Sequence, residues 1–365
     1  MKFWTCIILL AVILFTISGG CLHFIPWFSG ATYPKIIPDS TGSMPNPPGY
    51  EFLFQEYSIV IDVPVESAVY AGARNADKSA RIYDERIQEE EWLAGIYSSM
   101  IADPAQDRFY GDLLSRFREI RKDRLLDDDE YLELITVFVQ SITYENLNLT
   151  NPKFPVETYV DGRGDCDDKS MFLAGLLARE GYRVALLYFD EELHMAVGVD
   201  CGNEGYKNTG YGFIETTNVS LVGISPSGLE GNVKLRSDPQ VIPVGNGTLM
   251  YSQYDQTRRI WDKMSEMEQI LQTLENEIYT MEARLNILHD DLERQKTHMD
   301  LLFSSGNRVE YNRLVIEYNG KVNSYNALLA QYQAKSDEYN QHAEMYNLIL
   351  THKYDRKGIY EKFFS

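Results

Sequence analysis

Between residues 254 and 352 the sequence leaves little freedom of fold. Apolar side chains fall at Ile260, Met264, Met267, Leu271, Leu274, Ile278, Met281, Leu285, Leu288 and Leu292, in alternating steps of four and three. Such a seam is buried only by a helix lying along another helix. Ser304-Ser305-Gly306-Asn307 interrupts it as a turn. Beyond the turn Tyr311, Tyr318, Tyr325, Tyr332, Tyr339 and Tyr346 stand seven apart, with Val315, Val322, Leu329, Ala343 and Leu350 at the alternate seam position. The two arms are nearly equal, about 43 residues or ~65 Å each at the helical rise. Residues 251–365 are therefore expected to form an antiparallel coiled-coil hairpin. A hairpin of this kind can close on itself, space another domain, bind a protein partner or self-associate.

The other end of the chain has a different character. Lys2 precedes an apolar run from Trp4 to Ile17, followed by Ser18-Gly19-Gly20-Cys21. A short basic start, an apolar core and small residues at the end describe an export leader over residues 1–21, and Cys21 is the lipidation candidate. An uncleaved anchor running on through Phe28 is the alternative. Residues 22–50 hold Pro34, Pro38, Pro45, Pro47 and Pro48 among Gly, Ser and Thr, the composition of a semi-stiff linker. The expected location is extracytoplasmic, tethered to the membrane by a lipid or an N-terminal helix. Asn148, Asn218 and Asn246 begin glycosylation sequons.

A formal charge of −20 excludes nucleic acid and anionic lipid as natural partners for the surface. Of four cysteines, Cys6 and Cys21 belong to the leader, which leaves Cys166 and Cys201 in the folded region. No CxxC pair occurs, so neither a zinc site nor a disulfide framework is expected, and no cofactor or metal is implied.

Residues 51–250 are the globular region. Tyr57–Val65 alternates like a strand, 83–124 carries a helical pattern broken at Asp103-Pro104, and Asp127-Asp128-Asp129 opens an amphipathic helix through Ile142. A loop over 143–157 leads to Gly162-Arg163-Gly164-Asp165-Cys166-Asp167-Asp168-Lys169-Ser170 and the apolar segment 171–178. Three strands follow, over 183–189, 194–199 and 211–216, with turns that favour antiparallel pairing. Helices followed by a sheet give an α+β layout.

The glycines around Cys166 permit a sharp turn. Asp165 has the position of a helix N-cap, with Asp168 three residues on in capping-box spacing. Cys166 then lies in the first helical turn, where free N–H groups and the helix dipole favour a thiolate. His194 is the only histidine between residues 50 and 250. A thiol nucleophile needs a base that takes its proton and later returns it, and imidazole suits both steps. Glu215, in an apolar setting on the next strand, is the candidate that orients the ring. Asp200 is excluded, since it ends the histidine's own strand about 20 Å away. The backbone N–H of Cys166 is one oxyanion donor, and Gln140 is the candidate for a second. The aspartates flanking Cys166 oppose ionisation of the thiol; their expected roles are capping and binding Lys169 or Arg163.

The segments Phe154-Pro-Val-Glu-Thr158, Gly164-Asp-Cys-Asp-Asp-Lys-Ser170, His194-Met-Ala-Val-Gly-Val199 and Phe213-Ile-Glu-Thr-Thr217 resemble the transglutaminase-like superfamily, in its prokaryotic cysteine-peptidase branch. The resemblance covers roughly residues 130–220. It implies a papain-like core, a helix packed on an antiparallel sheet, with Cys166 as nucleophile, His194 as base and Glu215 as orienting acid. Many members carry aspartate where this chain has Glu215. The implied activity is acyl transfer through a cysteine thioester, with hydrolysis of peptide or amide bonds leading over crosslinking or deamidation. The alternative from another class is a non-catalytic envelope scaffold, built on a degenerate domain of this type and the coiled coil.

Overall fold

The structure is a computed structural model and describes residues 30–146, 151–225 and 234–364. The leader, Cys21 and the Asn148 sequon lie outside the described residues. Among those described, no helix is long and apolar enough to cross a membrane. The chain is a mixed helix-and-sheet fold with a long C-terminal helix pair, and it divides into two units. The first comprises the chain up to Phe52 with Ser58–Ser220 and Ser225–Ser252. The second takes the chain from Gln253 onward together with Leu53–Tyr57 and Leu221–Ile224.

Strand β1 (Ala31–Thr32) and the hairpin β2 (Tyr50–Phe54) and β3 (Tyr57–Ile61) precede helix α1 (Ser67–Asn75) and strand β4 (Arg81–Ile82). Helices α2 (Glu89–Ile101), α3 (Asp107–Arg124) and α4 (Asp128–Ser141) follow, so the helical pattern of 83–124 begins only at Glu89. Its break is the 3-10 turn Pro104–Gln106, where Asp103 accepts a hydrogen bond from Ala105 N–H. Helix α4 starts on a reciprocal capping box between Asp127 and Glu130. It is not amphipathic as its sequence suggested: Asp129 to Gln140 are all buried, because elements pack on every side.

The expected loop over 143–157 contains more structure than its prolines indicated. Strand β5 (Thr143–Tyr144) pairs in parallel with β6 (Arg163–Gly164), and helix α5 (Pro155–Asp161) lies between them. Pro155 occupies the first helical position, where its missing N–H costs nothing. Gly162 ends α5 in the left-handed region at φ +67°, and a Cβ on Gly164 would press within 2.7 Å of the Asp168 side chain.

Helix α6 (Cys166–Arg179) packs against the sheet formed by β7 (Val184–Phe189), β8 (His194–Asp200), β9 (Tyr211–Ile214) and β10 (Gln240–Val244), in the order β10-β7-β8-β9 and antiparallel throughout. The sequence reading missed β10, whose Pro243 argues against a strand. As an edge strand it tolerates the missing donor. Phe109, Phe117, Phe138, Tyr159 and Phe172 meet ring to ring with centroids 5.0–6.5 Å apart, joining α3, α4, α5 and α6 into one core. Each buried ring contributes about 1.5–3 kcal/mol. That core fixes the start of α6 against the sheet.

The second unit is a helical hairpin. Helix α7 (Tyr254–Ser304) has 51 residues and α8 (Arg308–Thr351) has 44, so the arms are less equal than the heptad count suggested. The difference is covered by helix α9 (Arg356–Phe364), which the sequence reading did not foresee. Its Ile359 joins Ile260, Met264, Met267 and Ile349 in one apolar cluster. Cross-links Asp291–Lys321 at 2.6 Å and Glu277–Lys335 at 3.2 Å set an antiparallel register. Leu274, Leu285, Leu292, Leu314 and Leu328 are buried in the seam, while the heptad tyrosines are half-buried.

Candidate active site

Cys166 is the first residue of α6 and is half-buried. Asp165 caps the helix: its carboxylate accepts from Asp168 N–H at 3.3 Å, and the Asp168 carboxylate accepts from Asp165 N–H at 3.4 Å. Asp168 also accepts from Lys153 N–H at 2.6 Å, which binds the preceding loop to the helix start. By helix geometry the N–H groups of Cys166 and Asp167 are the ones without an intrahelical partner.

Ser170, one turn further on, donates to the Met195 carbonyl at 3.1 Å and meets the Thr216 hydroxyl at 3.0 Å. One serine thus ties the helix that begins at Cys166 to the residues following His194 and Glu215. The main chain of Met195, the neighbour of His194, lies close enough to the thiol to favour its ionised form.

His194 opens β8 opposite Phe189 and is 5% exposed. The β8–β9 register pairs Val197 with Ile214. Continued by one residue, it sets Glu215 opposite Ala196 and on the same sheet face as His194, one diagonal step away. Glu215 is 2% exposed, and its Oε2 lies 3.3 Å from His194 Nε2. The two atoms are within reach but not aligned as a full hydrogen bond, and neither has another partner. The second oxygen, Oε1, accepts from Thr216 N–H at 2.9 Å, Thr217 N–H at 2.8 Å and the Thr217 hydroxyl at 2.8 Å. Burial alone would raise the carboxyl's pKa. The His194 contact and the Thr217 bonds outweigh it and hold the group below its ordinary range.

The thiol goes the other way. Burial first, and then the Asp167, Asp165 and Glu215 carboxylates, push Cys166 up to about 12, against the pull of the Met195 backbone. Burial and these carboxylates therefore oppose the ionisation that the helix terminus favours. Asp167 is itself raised well above the carboxylate range by burial and by Asp165. Neutralising Asp167 removes the second cause of the thiol's shift and leaves the first.

Two further expectations change. Gln140 is not placed as an oxyanion donor. It is 3% exposed; its amide nitrogen donates to the carbonyls of Glu215 at 2.7 Å and Ser220 at 3.0 Å, and its oxygen accepts from Ser220 N–H at 3.3 Å. Both amide protons are committed. Lys169 does not pair with the neighbouring aspartates. It is fully buried and donates to the Gln140 and Ile142 carbonyls at 3.1 and 2.6 Å, capping the end of α4. Burial lowers its amine to about 7. Arg163 pairs with Glu145 at 3.2 Å instead.

Asp200 bonds Arg183 at 2.5 Å, away from the site. The Asp165, Asp167 and Asp168 carboxylates lie within 4.8 Å of one another, a donor set that suits a hard cation. Helix capping and Lys153 already engage Asp165 and Asp168, so these oxygens act as local structure. Tyr97, on α2, lies within electrostatic reach of Cys166 and Asp167 and faces Tyr188 with ring centroids 6.3 Å apart. No local sequence signal marks Tyr97 as a wall of this site. Asn218 and Asn246 are exposed. No family model, curated protein or solved structure matches the chain.

Proposed function

We propose that this chain is a transglutaminase-like thiol enzyme with a papain-like core, acting through a Cys166 acyl-enzyme on amide or peptide bonds, with water as final acceptor. The observation that carries the reading is the buried His194–Glu215 pair at 3.3 Å, beside a helix whose first residue is a cysteine. His194 acts as the general base during attack. Cys166 sulfur bonds to the substrate carbonyl carbon as its proton passes to His194. The tetrahedral oxyanion is stabilised by N–H groups at the start of α6. Collapse breaks the C–N bond, and His194 gives its proton to the departing amine. Water then attacks the thioester, its proton goes to His194, and the acid leaves as the thiol is restored. Glu215 orients the ring and stabilises its charged form throughout. An amine in place of water gives crosslinking; a glutamine substrate with water gives deamidation.

The leader supports an exported, membrane-tethered location, and the hairpin supports a protein partner or self-association. One observation favours a second reading, a non-catalytic envelope scaffold: the surroundings of the half-buried thiol, burial and three nearby carboxylates, disfavour its ionisation. Alkylation of Cys166 by iodoacetamide across pH, with and without His194→Ala, separates the two. Rates above those of a free cysteine near neutral pH that collapse in the variant support the enzyme. Rates no faster than a free cysteine, and indifferent to His194, leave the scaffold.

A further inference from the structure

We propose that Gln140 and Thr217 are positioning residues that aim a single oxygen of Glu215 at His194. The inference rests on the thiol-enzyme reading and extends it to residues outside the triad. A carboxylate on a flexible stem has two equivalent oxygens and several rotamers, so aim must be imposed from outside. Here it is imposed twice. Two N–H groups and the Thr217 hydroxyl saturate Oε1, which leaves Oε2 as the oxygen facing Nε2. The main chain that carries the carboxylate is then strapped by Gln140, which binds the Glu215 carbonyl and the main-chain carbonyl and N–H of Ser220.

Gln140 is itself fixed from the nucleophile's side. Its carbonyl accepts from Lys169, three residues after Cys166 on the same helix. A continuous set of hydrogen bonds thus runs from α6 through Gln140 to Glu215, and Ser170 supplies a second connection through Met195 and Thr216. A merely structural glutamine would need no partner at the acid. This one spends its amide on the segment that begins with Glu215.

The test uses the full chain in Thr217→Val, Thr217→Ser, Gln140→Met and, as a matched control, Tyr182→Phe, which removes the hydroxyl that donates to the Asp128 carbonyl. Two quantities are followed: the titration of the Glu215 carboxyl by carbon NMR and the alkylation rate of Cys166 by iodoacetamide. T217V is expected to move the Glu215 midpoint upward and slow alkylation about tenfold, the scale of one charge-assisted hydrogen bond. T217S restores both. Q140M touches no carboxylate oxygen, so an upward shift of Glu215 there reports lost aim; Y182F leaves both quantities at wild type. Unchanged Glu215 titration and alkylation in both T217V and Q140M overturn the proposal. If His194→Ala abolishes alkylation while those two variants match wild type, the enzyme reading stands and the positioning fails. If Glu215 shifts as expected but alkylation ignores His194, the aiming of Glu215 stands and the enzyme reading fails.

Discussion

Glu215 Oε2 lies 3.3 Å from His194 Nε2 at a diagonal position across two antiparallel strands, with both side chains almost fully buried. A buried carboxylate without a partner cation would ordinarily be pushed toward protonation. This one is held below its usual range, because the imidazole and the Thr217 bonds outweigh burial. Glu215→Gln keeps the shape and removes the charge that steadies an imidazolium. Cys166 alkylation near neutral pH is expected to fall at least about tenfold, with the fold intact by circular dichroism. An unchanged rate would mean that Glu215 contributes nothing to the ring's chemistry.

Asp167 is the second-largest cause, after burial, of the raised Cys166 thiol. Its own carboxyl is raised well above the usual range, so its charge opposes the thiolate only where it has ionised, and Asp167→Asn is expected to speed Cys166 alkylation at alkaline pH by about three- to tenfold. The measurement is the pH–rate profile, whose rise should move to lower pH. A profile that stays in place would show that Asp167 already carries a proton there and that burial alone holds the thiol.

Lys169 gives a pH dependence with a definite sign. Its folded value is about 7, below the ordinary 10.5. Between those values the unfolded chain binds a proton that the folded chain does not, so the penalty this group places on stability is full below about 7 and is relieved as pH rises across that window. Lys169→Met removes the titration and leaves the Gln140 and Ile142 carbonyls unpaired. The stability advantage of wild type over the variant is therefore expected to grow by about 2 kcal/mol between pH 7 and 9 in urea denaturation. A difference that is flat with pH would mean that the amine stays charged inside the fold.

The local parts of the site were legible in the sequence, and their connections were not. Capping spacing marks Asp165 and Asp168, chain order marks His194, and an apolar strand marks Glu215. Each of these signals sits within a few residues of its target. Gln140 and Lys169 were misassigned because their partners are distant in sequence: an amide 75 residues from Glu215 carries no local pattern. The surroundings of the thiol were not legible for a related reason, since the helix terminus is visible in sequence and the depth of burial is not. In the fold, heptads fixed the hairpin, while β10, α5 and α9 escaped because short elements depend on tertiary packing rather than on periodicity.

The hairpin offers a prediction independent of any catalytic reading. Gln295 is buried in the α7 seam, and neither its amide nitrogen nor its oxygen has a hydrogen-bond partner. An unsatisfied buried amide costs about 1–3 kcal/mol. Gln295→Leu fits the seam's own residue type and is expected to stabilise the full chain by about 1–2 kcal/mol in urea denaturation, read at the helical signal. Polar seam residues can also hold register and oligomeric state at a cost in stability. Sedimentation of the same variant distinguishes the two roles. A stabilised variant with an unchanged sedimentation profile marks Gln295 as a cost without a registry function, whereas a stabilised variant that forms new species marks it as the residue that keeps the hairpin from alternative pairings. A destabilised variant would show that the amide is satisfied in solution and that its burial is no penalty.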